Sequence, residues 1–184
     1  MKVIIGILGG ILLATVAQAQ SGLKLGELSI AGSACRDNHE NLSLQRWVLQ
    51  IPLEASVQKS SSQQIASGAC SFSLPIQMKH GYRLIVRDLL ASGDVKLYRE
   101  TKSRVRLEVF AAGERGEILE REDGSKTQKV SRSIRLRQEG DVFVSECGAS
   151  LILRGNTSIQ VAGANRGTVN LDEIQMVLET ERCH

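Results

Sequence analysis

The chain has 184 residues, 42% hydrophobic and 23% charged, with 17 Gly, 2 Pro and 4 Cys, proportions that exclude disorder, collagen and coiled coil. Aromatic residues make up only 3%, so a core has to be built from aliphatic side chains. The 23 Lys and Arg against 20 Asp and Glu leave a formal net charge of +3, too even a balance for a nucleic-acid binder, which presents a concentrated basic face.

Residues 1–19 open with Lys2, continue through an apolar run from Val3 to Val16 and end in Ala17-Gln18-Ala19. This is the layout of a secretory signal peptide with a small-residue cleavage site. The apolar run, about 14 residues, falls short of the roughly 20 that span a bilayer. Cleavage after Ala19 is expected, leaving residues 20–184 as a single domain with no membrane span, secreted or periplasmic; no Cys follows the site to anchor a lipid.

From there the pattern is period two, the mark of strands with one buried face. In chain order, β-rich runs lie at 25–30, 42–51, 71–77, 82–89, 95–98, 104–109, 133–137, 142–145, 151–153, 157–161, 168–171 and 174–179. In the run at 104–109, Val105, Leu107 and Val109 alternate with Arg104, Arg106 and Glu108. The punctuation is turn chemistry: Lys79-His80-Gly81, Ser92-Gly93-Asp94, Asp123-Gly124-Ser125, Glu139-Gly140-Asp141, Arg154-Gly155-Asn156 and Asn165-Arg166-Gly167. Residues 54–68, polar and serine-rich, read as a flexible loop, with a short helix over 53–65 as the alternative. Residues 113–130 are highly charged and are expected outside the core. The expected fold is all-β, an antiparallel β-sandwich or jelly roll.

Cys35, Cys70, Cys147 and Cys183 are even in number, and in an exported chain that implies disulfides. No Cys-x-x-Cys occurs, and His39, His80 and His184 share no ligand spacing with the cysteines, so neither a metal site nor a cofactor is expected. Three pairings are possible. The order Cys35 to Cys70 and Cys147 to Cys183 is preferred because it closes two loops of similar length, each worth about 4 kcal/mol in the loop-entropy account.

The ordered series Gly32-Ser33-Ala34-Cys35, Gly68-Ala69-Cys70, Gly81-Tyr82, Ser145-Glu146-Cys147-Gly148 and Glu181-Arg182-Cys183 resembles a family of small secreted four-cysteine proteins of fungi and bacteria classed as a domain of unknown function. The likeness runs from about Leu25 to Cys183. It departs at Val144 and Glu181, where such proteins commonly carry an aromatic residue. The resemblance implies a secreted, β-rich domain and brings no catalytic residues.

Catalytic chemistry finds little support. Ser145 lies in no Gly-x-Ser-x-Gly elbow. His80 reads as a solvated turn residue, and His39 between Asp37 and Glu40 as a polar loop without a calcium-loop pattern. Asp172 with Glu173, and Glu120, Glu122 and Asp123, are neighbours in sequence, which says nothing about carboxylates facing across a cleft; the expected catalytic set is empty. The remaining candidate is an arginine set, Arg83 and Arg87, Arg104 and Arg106, Arg135 and Arg137. Were their strands adjacent, Arg104, Arg106, Arg135 and Arg137 would form a basic sheet surface suited to an anionic glycan or envelope polymer. The expected function is a non-catalytic binding or structural module at the cell envelope, the alternative a secreted hydrolase acting on a wall or extracellular polysaccharide.

Overall fold

Alternation of buried and exposed side chains runs through every long strand of the structure, a computed structural model that describes residues 22–36 and 42–183. The leader at 1–19, His39 with Asp37 and Glu40, and His184 lie outside the described residues. The strands are β1 (Leu23–Leu25), β2 (Ser29–Ala31), β3 (Ser43–Gln45), β4 (Val48–Lys59), β5 (Ile65–Met78), β6 (Tyr82–Leu97), β7 (Thr101–Ala111), β8 (Ile118–Ser125), β9 (Val130–Val144), β10 (Leu151–Gly163) and β11 (Gly167–Arg182). One sheet has the order β1-β5-β10-β7-β8, with β2 also paired to β5; the other has β3-β4-β11-β6-β9. All pairings are antiparallel. The fold is the expected all-β sandwich. Among the described residues no helix is long and apolar enough to cross a membrane.

The two inner faces meet in one core of aliphatic residues, with Leu49, Ile51 and Leu53 of β4, Leu74 and Ile76 of β5 and Leu171, Ile174 and Leu178 of β11 essentially inaccessible. Phe72 and Phe143 are its aromatic members. Each buried Leu or Ile contributes about 1.5–3 kcal/mol by leaving water, so aliphatic packing carries the fold. The disulfides pair in sequence order. Cys35–Cys70 ties the segment after β2 to β5 with Cα atoms 5.1 Å apart, and Cys147–Cys183 ties the β9–β10 connection to the end of β11 with Cα atoms 6.2 Å apart.

Several local expectations are corrected. Residues 54–68 are not one long loop and form no helix: β4 runs through Lys59 with Leu53, Ala55, Val57 and Lys59 inward, the chain turns only over 60–64, and β5 starts at Ile65. Lys59 is fully buried, its ammonium donating to the carbonyls of Asn165 at 2.7 Å and Ser60 at 3.0 Å. The charged stretch 113–130 supplies no buried residue to the hydrophobic core, as expected, but it contains edge strand β8, which buries the polar Asp123 and Ser125.

Ser92-Gly93-Asp94, Asp123-Gly124-Ser125, Glu139-Gly140-Asp141 and Arg154-Gly155-Asn156 sit inside strands. Gly93 and Gly155 are there for close approach rather than for turning. A Cβ on Gly93 would lie 2.1 Å from the Asn170 carbonyl oxygen, and one on Gly155 would lie 2.0 Å from the Phe72 ring. Within the run 42–51, the chain turns at Arg46-Trp47, both at positive φ, the backbone that a two-residue hairpin of this twist requires.

Candidate functional site

The central strand of the five-stranded sheet, β11, carries a β-bulge between Leu171 and Glu173. Leu171 and Ile174 both point into the core, so the extra residue puts Asp172 and Glu173 side by side on the outer face. Bulges commonly re-aim side chains beside functional sites. Glu54 of β4, opposite the bulge, has φ of 44°, a conformation uncommon for a residue with a Cβ.

Around this irregularity lies a cleft of about 490 Å³ lined by Arg36, Glu54, Ser56, Ser92, Asn170, Asp172 and Glu173. Through it runs a hydrogen-bonded row across three strands, which continues past the cleft lining to Asp94 and Gln175. Ser56 Oγ donates to Asn170 Oδ1 at 2.7 Å, and Asn170 Nδ2 donates to Asp94 Oδ1 at 2.9 Å. Ser92 Oγ donates to Glu173 Oε1 at 3.4 Å, which also accepts from Gln175 Nε2 at 2.9 Å. Asp94 Oδ2 is shielded from solvent and accepts no hydrogen bond; Lys96 Nζ stands 3.9 Å away. Burial raises the Asp172 carboxyl above its ordinary value, and the charges of Asp94, Glu173 and Glu54 push it the same way. Among the described residues no group of three His, Cys, Asp or Glu is placed to hold a metal ion. The row offers acceptors held by neighbouring donors, an arrangement suited to hydroxyl groups.

The candidate arginines are divided between the sheets. Arg104 and Arg106 lie on β7 of the six-stranded sheet, Arg135 and Arg137 on β9 at the edge of the other, so the four do not share one sheet face. Arg104 pairs with Glu120 and Glu122 and Arg106 with Glu120. The hydrogen bond to Glu120 and then its charge raise the Arg104 guanidinium above its ordinary value. Arg137 pairs with Glu139 at 3.2 Å, Arg83 with Glu181 and Arg87 with Asp141 and Glu179. The carbonyl of Arg135 accepts from Arg121, whose guanidinium holds the buried Asp123 together with Arg132 of β9. Those last contacts clasp the sheets along the β8–β9 side. A second, smaller groove of about 340 Å³ crosses the six-stranded sheet beside Arg106, Asn156 and Ser158.

Ser145 is buried and its hydroxyl is engaged by backbone, accepting from Leu84 N at 2.8 Å and donating to the Glu146 carbonyl at 2.9 Å. His80 is exposed in the β5–β6 turn. The row residues Ser56, Ser92, Asp94, Asn170 and Gln175 escaped the sequence reading. The signal that could have found them is alternation read straight through Gly93 and reset at Asp172.

A family model described as a domain of unknown function, DUF4360, matches residues 21–183, the span over which the cysteine framework had pointed to such a family. No curated protein matches the chain. Among solved structures, the TmCBM61 module in complex with β-1,4-galactotriose is similar at 15% identity and a TM-score of 0.26, covering 84% of this chain and 88% of that one. The enzymatically active domain of tailspike protein 4 of bacteriophage CBA120 has 11% identity and a TM-score of 0.26, covering 86% of this chain and 19% of that one. A family 11 carbohydrate-binding module from Clostridium thermocellum, with a mixed-linked tetrasaccharide, has 9% identity and a TM-score of 0.25, covering 85% and 95%.

Proposed function

The chain belongs to the DUF4360 family, a domain of unknown function, and from that premise we propose that it is a non-catalytic binding module of the cell envelope that holds a neutral glycan in the cleft at the β11 bulge. The observation that carries this reading is the row Ser56–Asn170–Asp94 and Ser92–Glu173–Gln175, in which amide, hydroxyl and carboxylate groups are fixed by one another. Groups held this way lose little freedom on binding a chain of hydroxyls. Glu54, Asp94, Asp172 and Glu173 repel an anionic ligand from this cleft, which favours an uncharged one.

Export supports the setting: the leader at 1–19 is proposed to be removed, leaving 20–184 as one domain, secreted or periplasmic, where its two disulfides persist. The polyanion reading on Arg104, Arg106, Arg135 and Arg137 is weaker, because such a ligand has to displace Glu120, Glu122 or Glu139 from Arg104, Arg106 and Arg137 and because the four are divided between the sheets. A second reading, a polysaccharide hydrolase, draws on one observation, the raised Asp172 carboxyl among three others, since a general acid needs such a shift.

The test is affinity electrophoresis against a panel of soluble neutral polysaccharides, with an Asn170→Ala/Gln175→Ala variant alongside. Retardation of the wild type by at least one polymer, lost in the variant at unchanged melting temperature, is the expected result. Absence of retardation by every polymer, or equal retardation of the variant, overturns the reading. Release of reducing ends that stops in Asp172→Asn establishes the hydrolase instead.

A further inference from the structure

Four connections meet at one end of the sandwich: residues 60–64 between β4 and β5, 98–100 between β6 and β7, 126–129 between β8 and β9, and 164–166 between β10 and β11. Backbone hydrogen bonds knit three of them, Gly163 N to the Gln64 carbonyl at 3.0 Å, Tyr98 N to that of Arg166 at 3.2 Å and Ala164 N to that of Glu100 at 3.0 Å. The pairs Thr101–Ser125 and Leu97–Val130 bring the fourth alongside.

These connections carry Arg99, Lys126, Lys129 and Arg166 against Glu100 alone. Glu100 is occupied by Arg99 at 3.6 Å. Arg166 lies over the Tyr98 ring, 4.2 Å from its centroid, and donates to the Tyr98 hydroxyl at 2.9 Å; Lys129 Nζ stands 5.4 Å from the same centroid. Among the described residues no carboxylate lies within ion-pair distance of Lys126, Lys129 or Arg166, in contrast to Arg83, Arg87, Arg104 and Arg106 of the sheets. Directly beneath, the buried Lys59 ammonium bonds only carbonyl oxygens, those of Ser60 and Asn165. Its charge is thus also uncompensated, and it acts through a medium that screens it far less than water does.

We propose that this loop end is a binding surface for an acidic polysaccharide, one bearing carboxylate or sulfate groups. It is independent of the cleft at the β11 bulge, with which it shares no residue. The cations are spread over separate connections on an open surface, which fits repeated anionic groups along a chain better than one small anion. Exposed hydroxyls of Ser60 and Ser62, 2.9 Å apart in the adjoining turn, add donors for anion oxygens. The Tyr98 ring is taken up by Arg166 and Lys129, so it is not offered for the base stacking on which single-stranded nucleic-acid sites rely.

The test is retention of the disulfide-bonded protein on immobilised dextran sulfate and on immobilised polygalacturonate, which separate sulfate from carboxylate recognition, with oligo(dT) as a third matrix. Wild type is expected to bind at least one of the two polysaccharides at low salt and to elute as salt rises. Lys129→Ala/Arg166→Ala is expected to weaken that binding about tenfold, since two screened charge contacts are lost, while Arg104→Ala/Arg106→Ala stays within about twofold. Lys126→Glu/Lys129→Glu, which leaves Arg166 on Tyr98, is the companion variant should the first melt early, and is expected to abolish retention. Failure of the wild type to bind either polysaccharide, tighter binding to oligo(dT), or an equal loss in the Arg104/Arg106 variant overturns the proposal. Retardation by neutral polysaccharide is unaffected by these variants if both readings hold, so the failure of one is distinguishable from that of the other.

Discussion

Gly155 offers the sharpest test of the packing argument. It faces the core from the middle of β10, and the Phe72 ring of β5 fills the place where a side chain would be, with Cε1, Cζ and Cδ1 at 2.0, 2.7 and 2.8 Å from an ideal Cβ. Carbon atoms in contact sit about 3.5–4.0 Å apart, so Gly155→Ala forces the ring to move by roughly 1.5 Å into a core where Phe72 is only 3% exposed. Overpacking of this kind costs about 1–3 kcal/mol, and with neighbours this well packed the upper part of that range is expected. Phe72→Leu alone should cost about 1–2 kcal/mol through the atoms it removes.

Leucine frees the space the new methyl needs, so the double variant should be more stable than the sum of the single losses predicts, by about 2 kcal/mol. Equilibrium urea denaturation followed by the fluorescence of Trp47, the sole tryptophan, gives all three values. Single losses that add within about 0.5 kcal/mol, the behaviour of independent sites, would refute the claim that the ring stands in for the missing side chain.

Asp172→Asn should raise the melting temperature at pH 7: a carboxyl whose value is raised by folding disfavours the folded state when charged, so the gain fades as pH falls through the folded value and is gone below about 3.9. A gain that persists at pH 3 would show that charge is not its origin. Lys59→Met should fall within about 1 kcal/mol of wild type, because the stem is matched in length, a desolvated charge is removed and the Asn165 carbonyl keeps the Thr101 hydroxyl at 3.1 Å; Lys59→Ala should lose about 3 kcal/mol in chemical denaturation through the void it leaves. Cys147→Ser/Cys183→Ser should cost about 2–5 kcal/mol, and peptide mapping of the variant should still return the Cys35–Cys70 link. Arg104→Glu/Arg106→Glu should leave the melting temperature little changed in thermal melts, since the pairs with Glu120 and Glu122 are exposed.

Alternation alone was enough to read the sandwich, because in strands with one wet face the period-two pattern is the packing itself. Val105, Leu107 and Val109 are buried where the pattern puts them, with Arg104 and Arg106 outside. The false turns came from glycine. Ser92-Gly93-Asp94 and Arg154-Gly155-Asn156 have the composition of turns, yet the cause of each glycine is an atom from another strand, the Asn170 carbonyl in one case and the Phe72 ring in the other. Nothing near them in sequence reports that atom.

The same limit hid the cleft. Asp172-Glu173 looks like any charged pair until the bulge turns both outward, and a bulge is a relation between β11 and its partners rather than a property of either. The disulfide order was readable because each bridge links residues 35 or 36 positions apart. The arginine face was not, since strand order decides which arginines meet.

Strand order also governs when this molecule can exist. The two strands latest in the chain, β10 and β11, occupy interior places in their sheets, β10 between β5 and β7 and β11 between β4 and β6. The inner strands β4, β5, β6 and β7 therefore each lack one neighbour until synthesis has passed residue 150, and neither half of the core can close early. Closure then joins partners far apart in sequence, which makes folding slow relative to that of a helical bundle. A polypeptide with this layout stays open for nearly the whole of its emergence, so the sandwich takes its shape as one late event rather than in halves.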